Sequence, residues 1–251
     1  MHNDVVVVDG RLVARFPRRP RGLEIARHAI RVLSFVNEAG LPIQTPNVID
    51  DHLGRELGEA YLVVDFMPGS NTDSVDLRSS AVRAALRSLL DAFADIDVST
   101  IPMPPEINRF GGGSELPEIV RETVFPRLSE RVAREAERRL DRFTQMPRMN
   151  HFVHADLGGE HIRWDAERGR IVGVIDWDLA TLDDPAEDAA CLGHHGWELP
   201  QALFPHDVVE RARIRRDAVL IRASAEAVLL GEPELLDHLL DRMADTLGDS
   251  A

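Results

Sequence analysis

The 251-residue chain contains no lysine; all 29 of its basic side chains other than histidine are arginine. A Walker-type phosphate loop requires a lysine, so that route to nucleotide binding is closed. Any phosphate clamp must use the arginine fork, which is not equivalent to an ammonium point charge. Cysteine occurs once, as Cys191, which excludes an internal disulfide framework and fits a reducing cytoplasm. It follows an Asp-Pro block in an apolar run, the setting of a buried structural thiol rather than a nucleophile. No apolar run approaches the ~20 residues that span a bilayer, and Met1-His2-Asn3-Asp4 does not open a signal peptide. Internal repeats and low-complexity tracts are also missing.

What is present describes a globular chain, 44% hydrophobic and 29% charged, long enough for one large domain or two lobes. The net charge of −14 is uneven: residues 151–251 carry 21 acids against 9 arginines. An acidic surface of this kind repels nucleic acid and attracts cationic small molecules.

Chemistry concentrates between His151 and Asp178, HFVHADLGGEHIRWDAERGRIVGVIDWD. His151–Val153 is short and apolar, and 155–160 is a polar loop with two glycines. Ile162–Trp164 and Ile171–Ile175 read as strands around the turn Asp165–Gly169. If these two pair as a hairpin, their far ends bring His161 and Asp176 to roughly 5 Å across the ladder, with Asp156 on the feeding loop. A carboxylate able to orient a hydroxyl, next to two potential metal ligands, is what phosphoryl transfer needs. A metal-dependent phosphohydrolase built on His151, His154, Asp156, His161 and Asp176 fits less well, because positions 151 and 154 of a strand point to opposite faces.

Three blocks, His154-Ala-Asp156-Leu-Gly-Gly-Glu-His161, Gly173-Val-Ile-Asp176-Trp-Asp178 and Asp184-Pro185-Ala-Glu-Asp188, resemble the aminoglycoside and macrolide phosphotransferases, small-molecule relatives of protein kinases. The resemblance implies an α/β (α+β) bilobal protein-kinase-like fold. A small β-rich nucleotide-binding lobe would span about 1–69, and a larger, mainly helical lobe about 70–251. It implies that Asp156 accepts or orients the acceptor proton, that His161 and Asp176 hold Mg²⁺ against the phosphates of ATP or GTP, and that His154 and Asp188 support the loop by hydrogen bonds. Ala155 replaces the family's usual glycine, so its backbone is expected to avoid positive φ. His161 stands where many relatives have Asn; imidazole is a less natural partner for Mg²⁺, and histidine here is typical of macrolide and aminoglycoside 2″-hydroxyl enzymes that often use GTP.

Upstream, Val5–Val8 and Leu12–Phe16 flank Asp9-Gly10-Arg11, a hairpin signal. The Arg-Phe-Pro motif that follows matches the strand supplying the family's phosphate-binding cation, which makes Arg15 the expected grip on the phosphates. Relatives carry a further strand and a covering loop ahead of this point, of which His2-Asn3-Asp4 reads as the tail; either the chain starts late or its nucleotide lobe is reduced. Arg21–Val36 has helical spacing, and the glutamate that relatives place there to hold the cation is Ala29, with Glu24 more than a turn away. Tyr61–Gly69 resembles the hinge between lobes, where the backbone of Asp65, Phe66 and Met67 would meet the purine edge. The glycine run 111–113 is expected to be flexible, and 115–146 to be helical with an interruption at Pro126.

The acceptor would be a small hydroxylated compound, aminoglycoside- or macrolide-like and cationic, with Asp178 or Glu198 binding an ammonium. The alternative is a kinase-like pseudo-enzyme that binds without transfer, which Ala29 and the shortened start favour and Asp156 with Asp176 oppose.

Overall fold

The computed structural model describes residues 3–147 and 149–248; Met1 and His2, part of the expected upstream tail, lie outside them. Strands β1 (Asn3–Val8) and β2 (Leu12–Pro17) form the expected hairpin, with Val8 opposite Leu12. Asp9 and Gly10 have φ of 51° and 62°, the left-handed pair of a turn whose twist matches that of its strands. Helix α1 (Pro20–Glu38) starts on a proline, where a missing amide costs nothing, and buries Ile25, Ala29, Val32, Leu33 and Val36 along one stripe. With β3 (Val48–Asp51) and β4 (Leu62–Asp65) the sheet order is β1-β2-β4-β3, and Arg15 sits opposite Leu62.

Helix α2 (Ser80–Ala94) buries Val82, Leu86, Leu89 and Phe93, as its amphipathic spacing predicts. Helix α3 (Leu116–Ile119) runs through an irregular segment that includes Pro126 to α4 (Glu130–Thr144). Strand β5 (His151–Val153) pairs with β8 (Thr181–Asp183), while β6 (Ile162–Asp165) and β7 (Arg170–Val174) form the hairpin anticipated from the sequence. Helices α5 (Ala186–Leu192), α6 (Glu198–Leu203), α7 (His206–Asp217), α8 (Val219–Leu230) and α9 (Pro233–Gly248) complete the chain. No described helix is long and apolar enough to cross a membrane.

The chain packs as two compact units, one of Met1–Met103 with Arg148–Ala212 and one of Pro104–Pro147 with Arg213–Ala251. This division does not fall near residue 69, and the hydrogen bonds explain why. The Ser70 amide donates to the Trp164 carbonyl at 2.9 Å and the Ser70 carbonyl accepts the Trp164 amide at 2.8 Å, while Gln44 exchanges bonds with Val172 and Val174. The N-terminal sheet segment is thereby stitched to the β6–β7 hairpin within the first unit. Phe93, Phe152 and Trp177 pack on one another there, with ring centroids 5.5–6.1 Å apart. In the second unit the glycine run is held rather than loose. The Gly111 amide donates to buried Glu226 at 2.9 Å, and all three glycines have positive φ, which only glycine adopts at little cost.

Candidate active site

Every side chain of the cluster belongs to the first unit. Strand β5 delivers the chain into a loop fixed from below by two buried groups. Asp188 of α5 accepts the backbone amides of His154 (3.1 Å) and Ala155 (2.9 Å). His154, fully buried, donates from Nε2 to the Ile175 carbonyl at 3.0 Å, which leaves Nδ1 to accept the Asp156 amide at 3.3 Å. The expected support by hydrogen bonds takes this form. Burial, followed by the neighbouring His161, pushes the His154 imidazole down to about 3, and burial pushes the Asp188 carboxyl up to about 7 against the pull of its two amides.

Above this support the Asp156 carbonyl accepts the Gly158 amide (2.7 Å) and His161 Nδ1–H (2.6 Å), so the loop closes on itself with the Asp156 carboxylate facing outward, 43% exposed. The Ile175 amide donates to the His161 carbonyl at 3.0 Å, and the hairpin ends bring His161 Nε2 to 3.6 Å from Asp176 Oδ2. His161 Nδ1 lies 3.6 Å from Asp156 Oδ2. Burial, with the charges of Asp176 and Glu160, raises the Asp156 carboxyl to about 6, while His161 pulls it back. Burial alone would lower His161, but Asp156 and Asp176 hold its imidazole above the ordinary value. One ligand atom from each of Asp156, His161 and Asp176 lies within 4.8 Å of the others. With Nδ1–H committed to a carbonyl, the Nε2 lone pair and two carboxylates make a donor set that fits a divalent cation.

Arg15 reaches this cluster from β2. Its Nη1 donates to Asp178 Oδ1 at 2.9 Å, its Nη2 donates to Asp178 Oδ2, and the same Nη2 lies 3.4 Å from Asp176 Oδ1. Residues 1–218 of this chain match the phosphotransferase enzyme family. The chain belongs to that family.

Among relatives of this phosphotransferase-family chain, viomycin phosphotransferase of Streptomyces vinaceus is 31% identical over 210 residues, 77% of this chain and 71% of the relative. The GDP complex of wild-type aminoglycoside 2′-phosphotransferase-IIIa superposes with a TM-score of 0.76 at 17% identity, over 100% of this chain and 91% of that one. Macrolide 2′-phosphotransferase type I gives 0.73 at 20% identity, over 96% and 87%. The kinase-like fold expected from the three sequence blocks is the one this phosphotransferase-family chain adopts.

Two expectations, at Ala155 and Asp178, are corrected by the geometry. Ala155 has φ of 63°, a left-handed residue at the point where the chain leaves its two Asp188-bound amides. Replacing Ala155 by glycine relieves a strain of roughly 1–2 kcal/mol, partly offset by the freer unfolded chain. The expected result is a rise in Tm, measured by calorimetry. Asp178, expected to face an ammonium, is only 7% exposed and is engaged by Arg15. In the hinge, the Asp65 amide donates to the Asn47 carbonyl (3.1 Å) and the Phe66 amide to the Arg11 carbonyl (2.8 Å), both bonds of the sheet. Of the backbone expected to meet the purine edge, the Met67 amide is not taken up this way among the described residues. Glu198 is exposed at the start of α6, and no hydrogen bond ties it to the cluster among the described residues.

Two contributors were missed. Glu160 adds negative charge that lifts Asp156, and Thr72 anchors the loop through its amide to the Gly159 carbonyl (2.9 Å) while its hydroxyl accepts Trp164 Nε1–H (3.0 Å). A threonine outside any motif carries no signal of such a bond. The Asp of the Asp-Pro block did carry one: Asp184, fully buried, caps the Ala186 amide (3.0 Å) and pairs with Arg211 Nε (2.6 Å).

The buried His154 also makes stability depend on pH. Unfolded, the imidazole takes a proton near 6.5; folded, it does so only near 3. Between these values the unfolded chain binds more protons, so this group's contribution to stability is lost as pH falls from 6.5 towards 3, by about 1.4 kcal/mol per unit. Asp188 acts with the opposite sign between about 4 and 7, since its folded form keeps its proton longer. Denaturant unfolding of wild type against His154→Gln across pH 4–7 isolates the histidine, and the gap between the two proteins is expected to narrow as pH falls.

Proposed function

We propose that this chain transfers the γ-phosphoryl group of ATP or GTP to a hydroxyl of a small cationic acceptor of the aminoglycoside or macrolide kind, with Mg²⁺. The observation that carries this reading is the convergence of Asp156, His161 and Asp176 within one ligand-sized space, with Arg15 arriving from strand β2.

Asp156 accepts or orients the proton of the attacking hydroxyl. Its partial exposure lets an acceptor approach, and a carboxyl raised to about 6 is a better base than an ordinary one while still ionised at neutral pH. As the new oxygen–phosphorus bond forms, the bond from the γ-phosphorus to the bridging oxygen breaks, and the nucleoside diphosphate leaves with the electron pair. His161 and Asp176 would hold Mg²⁺, which neutralises charge on the transferred group. Arg15 grips the phosphates, and the Met67 amide meets the purine edge. His154 and Asp188 hold the loop, so that catalysis is positioning and charge compensation. The viomycin, aminoglycoside and macrolide enzymes among the relatives and the acidic C-terminal third both support a polar, cationic acceptor.

The test is transfer of labelled γ-phosphate from Mg-ATP and Mg-GTP to a panel of viomycin-like peptides, aminoglycosides, macrolides and unrelated hydroxylated metabolites. Transfer to one class identifies the acceptor. Nucleotide-dependent stabilisation without transfer to any compound would instead favour a binding protein built on this fold.

A further inference from the structure

The bond between Arg15 and Asp178 joins residues 163 positions apart in sequence, and no role has been given to its acidic partner. Arg15 is 13% exposed and Asp178 7%. In the helix beside β2, Ile25, Ala26, His28, Ala29, Val32 and Leu33 of α1 are buried, and its Glu24 is paired at the surface with Arg27. Asp178 and Asp176 are the carboxylates that hold Arg15 among the described residues. The first does so through both guanidinium ends, a fork-on-fork geometry that fixes the plane of the cation as well as its position.

Asp178 and Asp176 sit on one short turn. Asp176 enters it in a left-handed conformation, φ 63° and ψ 60°, and Trp177 between them is buried and pinned by its indole N–H to the Val174 carbonyl at 3.0 Å. The turn therefore spaces two carboxylates rigidly, one 3.6 Å from His161 Nε2 and the other on Arg15. End-on pairing occupies one N–H of each terminal nitrogen and leaves further guanidinium donors for an anion.

We propose that Asp178 is a positioning residue for the nucleotide phosphates. It anchors Arg15 from the turn that carries Asp176, so that the cation and the metal-side carboxylate are set by a single rigid segment rather than by helix α1. The proposal rests on the phosphotransfer reading above and adds to it a residue that never touches the nucleotide. Because the anchor is part of the hairpin end, the clamp is assembled before ligand arrives, and no helix movement is needed to complete it.

Binding of Mg-GDP and Mg-ADP, measured by calorimetry, tests this without any acceptor. Asp178→Asn keeps the shape and removes the charge, and is expected to weaken the tighter of the two nucleotides roughly ten- to a hundredfold, as for loss of a hydrogen bond between charged groups. Asp178→Glu, which can restore the fork, is expected to recover part of the loss. In an Arg15→Ala background, Asp178→Asn is expected to change nucleotide affinity less than threefold, because a residue acting through Arg15 has nothing left to position. In turnover with an accepted substrate, the nucleotide KM is expected to rise while the acceptor KM stays near wild type.

Wild-type affinity or tighter binding in Asp178→Asn overturns the proposal, since the pair would then be neutral or a latch that withholds Arg15. So does a full effect in the Arg15→Ala background, or a rise confined to the acceptor KM. Wild-type protein that binds neither nucleotide overturns the phosphotransfer reading and this proposal with it. Wild type that binds while Asp178→Asn binds equally well overturns this proposal alone.

Discussion

Replacing Asp156 by asparagine is expected to lower kcat for phosphoryl transfer by roughly 10²–10⁴-fold, the usual contribution of a positioned acid or base, with little change in the KM for nucleotide or in Tm. The side chain is 43% exposed and its near contact is His161 at 3.6 Å, so the fold does not depend on it. Asparagine keeps the size and can hold the acceptor hydroxyl, yet it cannot take a proton. Steady-state kinetics on the acceptor found in the γ-phosphate assay decides the matter: a kcat within a few-fold of wild type would remove Asp156 from the chemistry. His161 also responds in this variant. With one of its two carboxylates gone, the imidazole returns towards its ordinary range, because Asp156 is the first of the charges that hold it up against burial. Its titration, followed by NMR, is a second readout that does not need turnover.

The second large effect falls on stability. Asp188→Ala strips the acceptors from two buried backbone amides, His154 at 3.1 Å and Ala155 at 2.9 Å. At a pH above about 7, where the buried Asp188 carboxyl is ionised, hydrogen bonds to a charged group are worth about 1.5–3 kcal/mol each, and a buried donor left unmet costs a similar amount. A loss of about 3–5 kcal/mol is expected, which in a chain of this size lowers Tm by on the order of 10 °C. Asp188→Asn keeps one carbonyl acceptor and should fall between wild type and alanine. The loop that carries Asp156 would lose its floor, so activity is expected to fall in parallel, and differential scanning calorimetry beside the transfer assay measures both. Wild-type stability in Asp188→Ala would mean that the two amides find other acceptors.

How much of this was legible in the sequence depended on how local the determinant was. The His161–Asp176 approach followed from strand length and a polar turn, since antiparallel register fixes which residues meet at the end of a hairpin. Asp188 was legible as a motif position. Ala155 was misread because a small side chain says nothing about the φ that the surrounding loop imposes. That Asn47 and Arg11 take the amides of Asp65 and Phe66 was not legible, because a strand sequence does not reveal which N–H groups its neighbours take. Asp178 was placed near a hypothetical ammonium when its cation was Arg15, in a strand far upstream, and no periodicity links such positions. The first compact unit crosses residue 69 for a related reason, as Gln44 and Ser70 bond to residues more than ninety positions away. The first unit is held together by contacts that no local window contains.

The cation that meets this cluster is a guanidinium, buried beside two acids that raise its proton affinity further. Its charge is therefore constant over any pH at which the protein is folded. Where an ammonium clamp would fade in alkaline solution, this one does not titrate, and a loss of rate at high pH has to come from the acceptor or from elsewhere in the chain. The same nitrogen chemistry makes the site invisible to amine-directed reagents, because no side-chain amine exists anywhere in the chain to be acylated.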